Sequence, residues 1–152
     1  MQKITPFLWY NGNVEEVANF YISIFKDSKI ISTMPGPGGM FMSATIEING
    51  QEFILFNGGP MFQFTEAISL FIKCETQDEI DYYWKKLIEG GGQESRCGWL
   101  KDKYGLSWQV VPPVLGDLLT NKDREKAGRA MQAMLQMNKI VIADLQNAFD
   151  GK

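Results

Sequence analysis

The chain has 152 residues, 45% of them apolar and 22% charged, so it can build a core of ordinary size and is neither a disordered tail nor a disulfide scaffold. A formal charge of -3, with lysines and arginines scattered along the sequence, excludes the basic footprint that nucleic acid requires. There is no histidine, which removes the commonest general base and the commonest metal ligand together.

The opening stretch Met1 to Phe7 has no long apolar run, so neither a signal peptide nor a membrane span is expected and the location follows as cytoplasmic. In that compartment Cys74 and Cys97 are expected as reduced, buried thiols. Ile4 to Tyr10 is β-branched and aromatic and ends at Asn11-Gly12, which predicts a strand closed by a turn. A helix follows at once. Asn13 and Glu16 have capping-box spacing, and Val14, Val17, Phe20, Tyr21 and Ile24 form one apolar stripe that ends near Lys26-Asp27.

Lys29 to Met34 predicts a short strand, and the prolines and glycines of 35–39 a mobile loop. From Met40 to Ile48, Met42, Ala44, Ile46 and Ile48 alternate with Ser43, Thr45 and Glu47, the period-two pattern of a half-buried strand. Asn49-Gly50 suits a two-residue hairpin turn, Glu52 to Phe56 the return strand, and Asn57-Gly58-Gly59-Pro60 its end. The order is β, α, β, β, β.

The order then repeats. Ala67 to Cys74 predicts a strand, Thr76 and Glu79 a second capping box, and Ile80, Tyr83, Trp84 and Leu87 a second helical stripe. Superposing the caps gives an offset of 63 residues (76 − 13), which lays Tyr83-Trp84 on Phe20-Tyr21 and Leu87 on Ile24. Gly90-Gly91-Gly92 breaks that helix, Glu94 to Leu100 predicts a strand, Asp102 to Gly105 a turn and Leu106 to Val111 the last strand. Two copies of one module fit.

After Pro112-Pro113 the spacing becomes helical. Thr120 or Asn121 is placed to cap a helix whose Ala127, Met131, Met134 and Leu135 form a stripe expected to pack against the sheet, and Ile140 to Phe149 predicts a second, shorter helix. A single domain over 1–152 is expected, with module one over about 1–60, module two over about 61–112 and a helical tail over 113–152.

The repeated βαβββ order, the helix ending Phe20-Tyr21 and the stretch Asp102-Lys103-Tyr104-Gly105-Leu106-Ser107-Trp108-Gln109 resemble the vicinal oxygen chelate superfamily of glyoxalases, ring-cleaving dioxygenases and bleomycin-resistance proteins, over roughly 1–112. The finer likeness is to its PhnB-like branch, often labelled 3-demethylubiquinone-9 3-methyltransferase. It rests on Asn57-Gly58-Gly59-Pro60, Cys97-Gly98-Trp99-Leu100-Lys101-Asp102, Gly105 to Pro112 and the tail Met131 to Phe149. The resemblance implies an α+β fold whose paired modules form a cupped half-barrel sheet, and a homodimer.

Metal-dependent members of that superfamily place ligands on the first and last strands of each module. Carried onto this sequence, those positions fall at Gln109, at Ile54, near Ser69 and at Pro6 with Thr5 beside it, a set too poor in lone pairs to grip a divalent ion. Glu52 is the one nearby carboxylate and a possible polar handle, so no metal and no cofactor are expected. A methyltransferase would need a site for S-adenosylmethionine, and the element order has no doubly wound alternation to supply one. Cys97 lacks a base to activate it, and the acids of the second helix read as a solvated face.

The resemblance therefore implies an apolar cup lined by Trp9, Ile54, Phe56, Ser69, Phe71, Trp108 and Gln109, with the aromatics giving area and Ser69 and Gln109 orientation. The first expectation is a metal-free protein that binds a small apolar or aromatic molecule in a dimer cavity, with no nucleic-acid or membrane partner. The alternatives are an enzyme on a small aromatic or carbonyl substrate (a glyoxalase- or dioxygenase-like lyase, or the 3-demethylubiquinone methyltransferase of the branch's label), with Glu52 or a cysteine moving a proton or a metal held by other ligands, and an interaction protein whose cavity is filled.

Overall fold

Two side-chain oxygens decide where the long helices begin. In the computed structural model, which describes residues 2–152, Asn13 Oδ1 accepts from the backbone N–H of Glu15 and Thr76 Oγ1 from that of Glu79. They cap α1 (Val14–Ile24) and α2 (Gln77–Ile88), each with two carboxylates in its first turn, where the helix dipole favours negative charge. The buried stripes superpose at the expected offset: Val17 on Ile80, Tyr21 on Trp84 and Ile24 on Leu87. Both caps and both stripes follow from spacing alone, and the chain divides into two compact units, one reaching Phe64 and the other running from Thr65 to Lys152.

In the first unit, β1 (Phe7–Tyr10), β2 (Ser28–Pro35), β3 (Phe41–Ile48) and β4 (Gln51–Asn57) form one sheet in the order β1-β4-β3-β2. β1 runs parallel to β4 and the other pairs are antiparallel, which is the βαβββ module. Asn49 and Gly50, at φ 49° and 82°, make the hairpin turn between Ile48 and Gln51, a left-handed pair that Asn-Gly adopts at little cost. Alternation buries Leu8, Tyr10, Ala44, Ile46, Phe53 and Leu55 on the face that α1 covers, and the Tyr10 and Tyr21 hydroxyls meet at 2.9 Å between strand and helix.

Met42 departs from its expected place. Met34 pairs with Ser43 and Pro35 with Phe41, so Met42 is the extra residue of a bulge and stands 40% exposed instead of joining Ala44 in the core. A second irregularity at Ile31 bends β2, whose residues are nearly all exposed along the sheet edge. Between β2 and β3, Pro37–Gly39 forms a single 3-10 turn closed by the Gly36 N–H donating to the Met40 carbonyl at 2.7 Å.

In the second unit, β5 (Ser69–Lys73), β6 (Gln93–Glu94), β7 (Trp99–Lys101) and β8 (Ser107–Val111) repeat the pattern as β5-β8-β7-β6, with β5 parallel to β8. The single strand expected over 94–100 is two short pieces. Cys97 and Gly98 sit at φ 59° and 84°, and two consecutive left-handed residues cannot continue an extended strand. Asp102 organises the following turn: its Oδ1 accepts from the N–H groups of Tyr104 and Leu106, and its Oδ2 from the Trp108 indole at 2.9 Å.

The tail has three helices where the spacing predicted two, α3 (Pro113–Leu119), α4 (Arg124–Leu135) and α5 (Ile142–Asp150). Pro113 opens α3 at a position where its missing N–H costs nothing. Asp123, not Thr120 or Asn121, caps α4, and Asn121 instead accepts from the Asp123 N–H. The buried face of α4 is Ala127 and Ala130, while Met131 and Leu135 are exposed, so small residues rather than the expected methionine stripe make the contact. α4 packs on α3 and α5, where small residues permit close approach.

One glutamine clasps this tail to α2. Gln77 donates from Nε2 to the Ile140 carbonyl and accepts at Oε1 from the Ile142 N–H, and the Cys97 and Gly98 N–H groups donate to the carbonyls of Met137 and Asn138. The Lys139 ammonium lies 2.7 Å from Asp81, and this hydrogen bond, with that from Gln77, holds the Asp81 carboxyl below its ordinary value of 3.8. A carboxyl depressed by folding stabilises the folded state above its unfolded pKa and loses that contribution as pH falls through the folded pKa. Amide protection at Ile142, corrected for intrinsic exchange, is therefore expected to fall below about pH 4, and to lose this pH dependence in Asp81→Asn. An unchanged acid profile in the variant would remove Asp81 from the account. Among the described residues no helix is long and apolar enough to cross a membrane.

Candidate functional site

The strand alternation that buries Leu8 and Tyr10 leaves Phe7 and Trp9 on the other face of the first sheet, level with Ile54 and Phe56 across the parallel pairing. Phe56 meets the Phe7 ring at 5.3 Å and the Trp9 ring at 5.2 Å, and Phe62 packs edge-on to Trp9 at 5.0 Å. Phe7 and Phe62 are each more than half exposed, so these rings form an aromatic platform rather than core.

The glycines after β4 fix this platform. A Cβ at Gly58 would lie 2.1 Å from the Trp9 ring, so only glycine lets the backbone pass beneath the indole. The Trp9 Nε1–H donates to the Gly59 carbonyl at 2.9 Å, the Gly58 N–H to the Tyr10 carbonyl, and the Gly12 N–H to Asn57 Oδ1. Asn57-Gly58-Gly59 is thus a ring clamp. Phe62 was not among the expected lining residues; its signal was the apolar pair Met61-Phe62 directly after a loop of fixed shape.

On the second sheet, Ser69, Phe71 and Gln109 share the face turned away from α2, and Gln109 Nε2 donates to Ser69 Oγ at 3.0 Å. Phe71 lies across from Gln109 and is 53% exposed. Trp108 does not join them. It neighbours Gln109 along the strand and so points to the opposite face, where it is 3% exposed and donates to Asp102. Its place is structural.

Phe7 stands across from Ile54 and Phe71 from Gln109, so the first strands superpose at an offset of 64, one more than the helices. Ser69 therefore corresponds to Thr5 rather than to Pro6. None of these side chains is a carboxylate, imidazole or thiolate, and among the described residues no three Cys, Asp or Glu side chains converge. Glu52 shares the face of Ile54, directly across from Glu47, which pairs with Lys29 at 3.5 Å; the Gln2 amide brackets the Glu52 backbone. The divalent metal that the sequence resemblance implies finds no fitting donor set at these positions.

The Cys74 thiol is not poised as a nucleophile. Burial pushes the Cys74 thiol up to about 12, with the Glu79 charge adding to it, so it stays protonated at neutral pH. Cys97 is partly exposed, and its Sγ contacts the Met134 carbonyl at 3.7 Å.

Residues 2–111 match the family model described as 3-demethylubiquinone-9 3-methyltransferase. A PhnB protein from Bacillus cereus with the same methyltransferase designation is 39% identical, covers 73% of this chain and 99% of its own, and superposes with a TM-score of 0.68. The fosfomycin resistance protein FosX from Listeria monocytogenes is 14% identical, with 79% and 98% of the two chains covered and a TM-score of 0.58. A glyoxalase/bleomycin resistance protein from Albidiferax ferrireducens is 12% identical, with 71% and 95% covered and a TM-score of 0.51. These two show the fold alone. No curated protein matches the sequence. The family match stops at residue 111, so the tail from α3 onward lies beyond it.

S-adenosylmethionine, which the family description implies, does not fit the loops present. The glycine-rich turn after β4 is filled by the Trp9 indole and leads through Pro60 into turns and irregular chain before β5, without the helix N-terminus that a cofactor of this kind uses in doubly wound folds.

Proposed function

From the premise that this chain belongs to the 3-demethylubiquinone-9 3-methyltransferase family, in its PhnB-like form, we propose that it binds a small apolar or aromatic molecule, as a homodimer and without a metal. The observation that carries this reading is the clamped Trp9 indole, an aromatic surface held rigid by backbone glycines and left partly open. A preformed aromatic surface loses little entropy when a flat ligand stacks on it, which favours binding over catalysis as its use. Trp9, Phe7, Ile54, Phe56 and Phe62 supply the area. On the second unit, taken by itself, Ser69 and Gln109 leave a hydroxyl hydrogen and an amide carbonyl for a polar group, since their mutual bond uses only one amide hydrogen.

The test is a titration with acridine as a flat aromatic probe, followed by thermal unfolding and by the sedimentation mass of the complex. Acridine raises the unfolding midpoint because it binds only the folded state, and Trp9→Ala weakens it about tenfold, equivalent to about 1.4 kcal/mol. Equal affinity in Trp9→Ala would discard the platform, and a monomer that binds as well as the assembled protein would discard the dimer.

A further inference from the structure

A row of hydrogen-bond donors crosses the second sheet. Gln93 pairs with Lys101, Lys101 with Ser107 and Ser107 with Ser69, so one side chain from each of β6, β7, β8 and β5 stands in line on the face turned away from α2. The row is an amide, an ammonium and two hydroxyls, with no carboxylate of its own. Ser69 Oγ already accepts from Gln109, which leaves its hydrogen to donate. Ser107 is 1% exposed, and its Oγ has no hydrogen-bond partner, a cost in stability unless something enters to meet it.

The acid that answers the row comes from outside it. Glu66, in the turn before β5, is ion-paired with Lys101, and the two line a cavity of about 210 Å³ together with Gln93, Ser107 and Trp99. Glu94 pairs with Leu100 and so faces the other way, where it accepts from the Trp84 indole. The bond from Lys101 holds the Glu66 carboxyl below its ordinary value of 4.5, so both partners are charged at neutral pH. Yet the Glu66 side chain is 61% exposed, and an ion pair this open to water holds weakly. It meets the ammonium and leaves the Ser107 hydroxyl unmet.

We propose that Glu66 stands in for a ligand: a small carboxylic acid, bound as its anion, displaces Glu66 from Lys101 and also accepts a hydrogen bond from Ser107 Oγ. Cross-strand partners stand only about 5 Å apart at Cβ, so the two oxygens of one carboxylate can serve the ammonium and the hydroxyl together. Departure of Glu66 opens the hydroxyl that is now covered. Trp99, two residues before Lys101 on the same face, gives the rest of the acid an apolar wall, and the volume admits only a few heavy atoms. The site lies within the second unit, shares only Ser69 with the aromatic reading and does not depend on the Trp9 platform.

Acetate is the probe and ethanolamine its oppositely charged control, each titrated into the whole chain while the Ser107 amide and Trp99 indole signals are followed by NMR. Acetate is too small to stack on aromatic rings, so it does not report on the platform. It shifts both signals saturably and ethanolamine does not. Glu66→Gln keeps the size of the tethered side chain without its charge and binds acetate about tenfold tighter. Glu125→Gln on α4, an equal change of net charge outside the cavity, leaves the affinity as it was. Ser107→Ala weakens acetate about fivefold, and Lys101→Met abolishes its binding. The proposal is overturned if Glu66→Gln binds acetate no tighter than the parent, if Ser107→Ala binds it like the parent, if ethanolamine binds as tightly, or if acetate saturates neither the parent nor Glu66→Gln.

Discussion

Gly58→Ala is expected to destabilise the protein by about 3 kcal/mol and to abolish binding at the aromatic platform. The added methyl would need the space 2.1 Å from the Trp9 ring, so either the loop or the indole moves. Moving the indole breaks its bond to the Gly59 carbonyl and parts it from Phe56 and Phe62; moving the loop breaks the Gly58 N–H bond to Tyr10. Urea unfolding measures the first effect and acridine titration the second. Gly116→Ala is the control, since open space surrounds its Cβ position inside α3 and alanine favours a helix. If Gly58→Ala unfolds like the parent and binds acridine equally well, the clamp is not what holds Trp9.

Asp102→Asn is expected to cost about 4 kcal/mol, although it changes only one oxygen to an amide. The carboxylate is 2% exposed and accepts from two backbone N–H groups and one indole, which uses both of its oxygens. An asparagine must turn its NH₂ toward one of those donors, leaving two hydrogens facing each other in a place water cannot reach. The loss shows as a lower urea midpoint and as a weakened near-ultraviolet signal from Trp108. A change below about 1 kcal/mol would mean that the turn holds itself without the carboxylate.

Most of the architecture was legible because it rests on period and capping. Asn13 and Thr76 precede stripes of helical spacing, and Asn49-Gly50 joins two alternating runs, so local spacing carries the helices of both modules and the hairpin of the first. The parts that were hidden depend on single backbone angles or on tertiary contact. Nothing local marks Cys97 as left-handed, so the strand through 94–100 looked continuous. The bulge at Met42 requires knowing which residue of β2 lies opposite. In α4 the large residues dominate the apolar pattern, whereas the neighbouring helices select the small ones, Ala127 and Ala130.

The candidate site divides in the same way. Trp9, Ile54, Phe56, Ser69, Phe71 and Gln109 lie on the sheet faces left uncovered by the module helices, as strand position implied. Trp108 and Gln109 could not both share that face, since adjacent strand residues point apart. The clamp at Gly58 had no sequence signal beyond a glycine pair. It is a property of three-dimensional proximity.

The irregular edge of the first sheet bears on how the protein keeps at high concentration. A long, flat, apolar border invites identical copies to stack strand upon strand into fibrils. In β2 the breaks at Ile31 and opposite Met42 interrupt the ladder twice within eight residues, and Lys29 adds a charge at its start. A neighbouring molecule that tried to extend the ladder there would find its donors and acceptors out of step after only a few bonds, which guards solubility without covering the border.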